Sequence, residues 1–231
     1  MVQVTTPINL RVKFKKVGSL QYISHLDLVR TMNKIIVRAR LPLWYTEGFN
    51  PKPKMVFAAP LSIGTESLAE YVDIRLTEKM DPALAMERLN ANMTEEMQVI
   101  EAYYPENKLT ELAWLSYSIS IKTGGATAEL ASKIEETLLS DRVEVEKRAK
   151  NGEMKNVDIR PLIKSASTVL DGEYIRLNCI LSADPSAFLN PGLVIKALRR
   201  ECGILSAEDI TTEWYSILRT SAHFSDMSEF R

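Results

Sequence analysis

Residues 8–40 read INLRVKFKKVGSLQYISHLDLVRTMNKIIVRAR, and within them the spacing of apolar positions changes from every second residue to about 3.6. From Ile8 to Tyr22, Leu10, Val12 and Phe14 alternate with Arg11, Lys13 and Lys15, which describes a strand with one apolar and one basic side that turns near Gly18. Ser24 with Asp27 three residues on has the spacing of a capping box, shortened by one methylene from the usual Glu, so a helix starts at His25. Leu28, Val29, Met32, Ile35, Ile36 and Ala39 recur at helical spacing toward a core, while Arg30, Lys34 and Arg38 form a separate stripe at i, i+4 and i+8. Pro42 stops the helix.

The pattern continues downstream. Leu43–Tyr45, Met55–Ala59 and Glu70–Leu76 read as strands, Asp81-Pro82 opens a helix reaching about Asn92, and Gln98–Tyr104 is a further strand. Polar residues 107–112 follow Pro105 and mark a boundary. The second half repeats the order: strand Leu115–Lys122, helix Thr127–Ser140, strand Val143–Ala149 into an Asn151-Gly152 turn, strands Val157–Ile163 and Tyr174–Leu181 with Asp171-Gly172 between them, a helix from Asn190-Pro191 to Gly203, and a last strand Ile210–Leu218. The fold class expected is α+β, two tandem ferredoxin-like domains, each a split β-α-β unit with an antiparallel sheet carrying two helices on one face. The expected divisions are 1–106, 107–219 and a flexible tail at 220–231.

A hydrophobic fraction of 45% is that of a packed globular protein. Residues 1–6 lack a basic segment leading into an apolar one, and no run approaches the roughly 18 apolar residues of a membrane helix, so a cytoplasmic protein with no membrane partner is expected. The net charge of −1 conceals an asymmetry. Residues 1–60 hold ten Lys or Arg against Asp27 and Glu47, a net of +8, and the rest of the chain holds 19 cations against 28 acids, a net of −9. Such a division suits a polyanion-binding face, or two halves that attract each other.

Two cysteines and two histidines supply neither a disulfide framework, nor an iron–sulfur cluster, nor a four-ligand zinc site, so no metal and no cofactor are expected in this chain. Clustered glycines of a phosphate loop are also missing. The cations Arg30, Lys34, Arg38, Arg40, Lys52 and Lys54, with Trp44, Tyr45 and Phe49 interleaved, have the composition of a surface that clamps a phosphate backbone and stacks bases. In Asn50-Pro51-Lys52-Pro53-Lys54 the prolines stiffen the backbone that carries two lysines. His25, with Tyr22 three residues earlier, has the residue types of a metal-free ribonuclease base, although a His beside Ser24 and Asp27 at a helix start also serves for capping or packing.

The wording of this region resembles a known family. Tyr22-Ile23-Ser24-His25-Leu26-Asp27-Leu28, then Leu41-Pro42-Leu43, Gly48-Phe49-Asn50-Pro51, Pro53-Lys54, Phe57-Ala58, Pro60-Leu61 with Gly64, and Glu70-Tyr71-Val72-Asp73-Ile74 are similar to the radical SAM-linked family. That family is a domain of uncharacterised function found alone or fused to the C-terminus of cobalamin-type radical SAM proteins. The match is specific over residues 8–76, and its motif residues here are Ser24, His25, Asp27, Gly48, Asn50 and Pro51. The resemblance implies a radical SAM protein as partner. Three functions are therefore expected in order: a non-catalytic module that binds RNA or presents substrate to a radical SAM enzyme in tRNA or rRNA modification; a protein-docking module without nucleic-acid contact; and a metal-independent endoribonuclease using His25.

Overall fold

Every second side chain of β1 (Ile8–Lys16) is withdrawn from water, and this strand organises the first unit of the chain. The computed structural model describes residues 6–148, 152–207, 209 and 211–231. They divide into two compact units, Met1–Leu112 with Phe230–Arg231, and Ala113–Glu229. Among the described residues no helix is long and apolar enough to cross a membrane.

In the first unit β1 is followed by α1 (His25–Arg38), β2 (Met55–Phe57), β3 (Thr65–Leu76), α2 (Pro82–Asn90) and β4 (Val99–Tyr103). The strand order is β4-β1-β3-β2 and each neighbouring pair is antiparallel. Leu10, Val12 and Phe14 of β1 and Val72, Ile74 and Leu76 of β3 project from one face into a core with Leu28, Met32 and Ile36 of α1 and Ala85 and Leu89 of α2. Each large apolar side chain removed from water in this way contributes about 1.5–3 kcal/mol. The 3.6-residue period of α1 therefore meets the two-residue period of β1 across one apolar layer.

The opposite face holds a buried ion pair. Arg11 and Asp73 are direct cross-strand partners, and the Arg11 Nε and Nη2 donate to Asp73 Oδ1 and Oδ2 at 2.8 and 3.0 Å. Nη1 donates to the main-chain oxygen of Arg231 at 3.0 Å, and Nη2 also to the Asn107 carbonyl at 2.9 Å. Phe230 lies 5.0 Å from the guanidinium and edge-on to Tyr71, whose hydroxyl donates to the Phe230 carbonyl.

These contacts correct three expectations. Arg11 is not part of a solvated basic side, because its charge is neutralised inside the unit. The boundary falls after Leu112 instead of 106, since Asn107 binds Arg11 and Leu112 is buried. Residues 220–231 are not a flexible tail: the last strand reaches His223, Asp226 closes a turn by accepting from the Ser228 N–H and hydroxyl, and Phe230 is fully buried. The polar composition of that segment concealed one apolar anchor.

The second unit comprises β5 (Trp114–Lys122), α3 (Ala128–Leu139), β6 (Glu144–Arg148), β7 (Met154–Asp158), β8 (Ile163–Asp171), β9 (Tyr174–Ser182), α4 (Pro191–Cys202) and β10 (Trp214–His223). Its main sheet runs β10-β5-β9-β8, again antiparallel, and β6 pairs with β7 alone. Thr127 and Asn190 cap α3 and α4 by accepting from Leu130 and Gly192 N–H groups.

The strand expected at 157–163 is divided here, with Val157 and Asp158 closing β7 and Ile163 opening β8. The intervening turn Arg160–Leu162 breaks the pairing, and the small polar run Lys164–Thr168 concealed β8 because an exposed strand needs little apolar alternation. The segment at 43–45 contributes isolated bridges in place of a strand, and β1 stops at Lys16, ahead of a short helical turn at Gly18–Tyr22. Ala149, Asn151 and Ile210, where a strand end, a turn and a strand start were expected, lie outside the described residues.

The Arg11–Asp73 pair makes a testable prediction. Arg11→Met leaves a buried carboxylate without its partner and should destabilise the first unit by about 3–5 kcal/mol, whereas the Arg11→Met/Asp73→Leu double variant should recover most of that loss. Urea unfolding of the single and double variants measures both; equal losses in the two would exclude an uncompensated charge as the cause.

Candidate functional site

Helix α1 is placed by its first turn. Ser24 is extended at φ −70°, ψ 159°, its oxygen accepts from the Asp27 N–H at 3.1 Å, and its hydroxyl donates to Asp27 Oδ2 at 2.7 Å. The shorter Asp thus takes the cap hydroxyl where a Glu would reach the cap N–H. Asp27 also accepts from Arg30 at 3.2 Å, and the Ser24 hydroxyl first, then Arg30, hold its carboxyl below the ordinary value of 3.8. With its buried face committed to the core, the helix leaves Arg30, Lys34, Val37 and Arg38 exposed.

The segment after the helix folds back as a pinned hairpin. Trp44 N–H donates to the Arg75 carbonyl and Arg75 N–H to the Lys54 carbonyl, both at 2.9 Å, so both arms hang on one residue of β3. Lys54 N–H donates to Trp44, Thr46 N–H to the Lys52 carbonyl, and Lys52 N–H to the Thr46 hydroxyl. At the tip Gly48 has φ +121°, a conformation that side chains rarely adopt, and Phe49 is fully solvent-exposed at 112%. Asn50 and Pro51 complete the exposed tip.

Between helix and hairpin lies a groove of about 490 Å³ lined by Arg30, Asn33, Lys34, Val37, Arg38, Lys52 and Pro53. Four cations surround an apolar floor of Val37 and Pro53, and no carboxylate lines it. Among the described residues Lys34, Arg38 and Lys52 form no ion pair; Arg30 shares Asp27. Such a site attracts a polyanion strongly at low salt, because four like charges in one concavity raise the potential beyond what scattered lysines achieve.

The structure therefore brings Arg30, Lys34, Arg38 and Lys52 together in one lining, of which Arg40, Phe49 and Lys54 are not part. The Lys54 ammonium lies 5.4 Å from the Trp44 ring, outside the groove lining. Arg40 lies just beyond the helix at φ +53°, and its carbonyl accepts from Arg88. His25 is exposed, with its ring edge-on to Phe57 at 5.4 Å, and among the described residues it forms neither a hydrogen bond nor a ring contact with Tyr22. Asn33, Val37 and Pro53 were missed as lining. The available signal was helical spacing, since Asn33 and Val37 stand at i+3 and i+7 from Arg30.

Among the described residues no three of His, Cys, Asp and Glu are grouped so as to hold a metal ion. Burial pushes the Cys179 thiol up to about 12, which makes it a core side chain and not a nucleophile.

This fold and groove define an α+β protein with a basic concavity in its first unit. The chain belongs to the family of uncharacterised proteins conserved in bacteria designated DUF2344, whose model matches residues 9–191. No curated protein matches it. Among solved structures it is similar to a chain of a Cbf5–Nop10–Gar1 complex at 13% identity and a TM-score of 0.50, covering 93% of this chain and 49% of that one. A chain of an H/ACA RNP bound to a substrate RNA containing 2′-deoxyuridine is 13% identical at a TM-score of 0.47, with 96% and 49% covered. The chain spans about half the length of these relatives, and at such identity the first likeness is one of fold.

The cap predicts a pH effect. Asp27 titrates below its unfolded value, so its contribution to α1 is present above that value and is lost as pH falls through the folded one. In Ser24→Ala the Asp27 midpoint, followed by carboxyl NMR, should rise toward 3.8, and loss of the cap should lower stability by about 1 kcal/mol. An unmoved midpoint would exclude the Ser24 hydroxyl as the dominant partner.

Proposed function

We propose that this protein is an accessory module that binds RNA through the α1–hairpin groove and presents it to a radical SAM enzyme acting in tRNA or rRNA modification. The observation that carries the RNA half is the groove: four cations, three without an ion pair among the described residues, around an apolar floor. Phosphate oxygens suit that arrangement, because Arg and Lys donate to them directly and displaced counterions add an entropic gain. The radical SAM half rests on the residues of the first unit that resemble the radical SAM-linked family. We read both units as ferredoxin-like, since in each the order strand–helix–strand–strand–helix–strand accompanies a sheet order of fourth-first-third-second, with β6–β7 as an insertion in the second.

A protein-docking module is the second reading. It is favoured by exposed apolar side chains near the start of α1, with Tyr22 67% exposed, Leu26 56% and Ile63 63%. The endoribonuclease reading draws no support from the geometry of His25, whose ring packs on Phe57.

The experiment is RNA binding as a function of salt. Affinity for structured RNA should fall steeply with ionic strength, each phosphate contact adding about 0.7–0.9 to the log–log slope. The Arg30→Gln/Lys34→Gln/Arg38→Gln variant should fold normally, because exposed helical charges contribute only tenths of a kcal/mol each, yet bind at least about tenfold more weakly. His25→Ala should bind as wild type, and neither protein should cleave. Unchanged affinity in the triple variant would remove this groove as the RNA site and leave the docking reading.

A further inference from the structure

We infer that the RNA taken by this groove is unpaired there: one base rests on Val37 and Pro53 with its flanking phosphates on Arg30, Lys34, Arg38 and Lys52, and the neighbouring base stacks on Phe49. This rests on the RNA reading above and specifies its ligand. The first argument is the floor. A duplex offers a protein phosphates, sugars and base edges, with its base faces already stacked on one another, so it would leave an apolar floor in a cavity of about 490 Å³ unfilled. An unstacked base fills it, and Val37, 48% exposed, is then covered.

The second argument is Phe49. A fully exposed phenyl ring buries nothing in its own fold, yet the two backbone arms that carry it are tied together. Hairpin hydrogen bonds at Trp44–Lys54 and Thr46–Lys52 fix the arms, Pro51 and Pro53 fix φ on one of them, and Gly48 sets the tip through its positive φ. Ordering such a platform on binding costs little backbone entropy, and any base can stack on it irrespective of sequence.

The third argument is spacing. Arg30, Lys34 and Arg38 follow one another by about 6 Å along the helix axis, four residues at 1.5 Å each. Successive phosphates of an extended strand can therefore each meet one cation, with Lys52 facing them from the hairpin side.

The test compares an unstructured, fluorescently labelled oligouridine with a blunt RNA duplex of equal strand length at one salt concentration, using wild type, Phe49→Ala, Phe49→Trp and the Arg30/Lys34/Arg38 triple Gln variant. Wild type should bind the single strand at least about tenfold more tightly than the duplex. Phe49→Ala should lose about tenfold for the single strand with an unchanged salt slope and unchanged duplex affinity, and Phe49→Trp should keep single-strand affinity. Equal affinity for the two RNAs, or a Phe49→Ala protein that binds the single strand as wild type, would overturn the inference while leaving the groove as a polyanion site. A triple variant that binds both RNAs undiminished, or a wild type that binds neither, would overturn the RNA reading and this inference with it.

Discussion

The Arg11–Asp73 pair is the constraint on which the first unit depends. Both charges are withdrawn from water, and the cost of removing them is offset only because the guanidinium fork meets the carboxylate in two bonds and its remaining donors reach Asn107 and Arg231. The pair is cross-strand, so it also sets register. A slip of β1 by one residue against β3 would separate the charges and turn Leu10, Val12 and Phe14 out of the core. Two residues beyond Asp73 stands Arg75, whose main chain holds both arms of the hairpin. The register that pairs the buried charges thus also positions the loop that forms one wall of the groove.

The groove follows from a division of labour along α1. Its buried stripe is used up by the sheet, so the cations on the other side stand apart from the core. Among the described residues Asp27 alone forms an ion pair with one of them, and it serves the helix start as much as it serves Arg30. Because these charges are exposed, their attraction for a polyanion is screened by salt, while the apolar floor and the Phe49 ring are not subject to that screening. A ligand that uses both kinds of contact is distinguished from one that offers charge alone.

The charge count of the first 60 residues overstated what the surface offers. Arg11 and Lys16 are buried, the latter donating to the Leu20 carbonyl at 2.8 Å, and Lys54 lies against Trp44. Composition cannot distinguish a cation that projects from one that is neutralised inside. Only alternation hinted at it, and alternation placed Arg11 on a side of the strand that happens to be covered.

What the sequence determined by itself is local: the start of α1 at Ser24, its apolar and cationic stripes, the stiffness of the proline loop, and the caps at Asp81, Thr127 and Asn190. Each depends on residues within a turn of one another, where hydrogen-bonding groups and φ preferences decide the outcome without distant partners. Only the tertiary structure decided which cations share a groove and that Phe230 returns to cover Arg11. The partners of Arg11 stand 62 and 220 positions away, and no short-range period in the chain encodes which charge will find water and which will find a carboxylate.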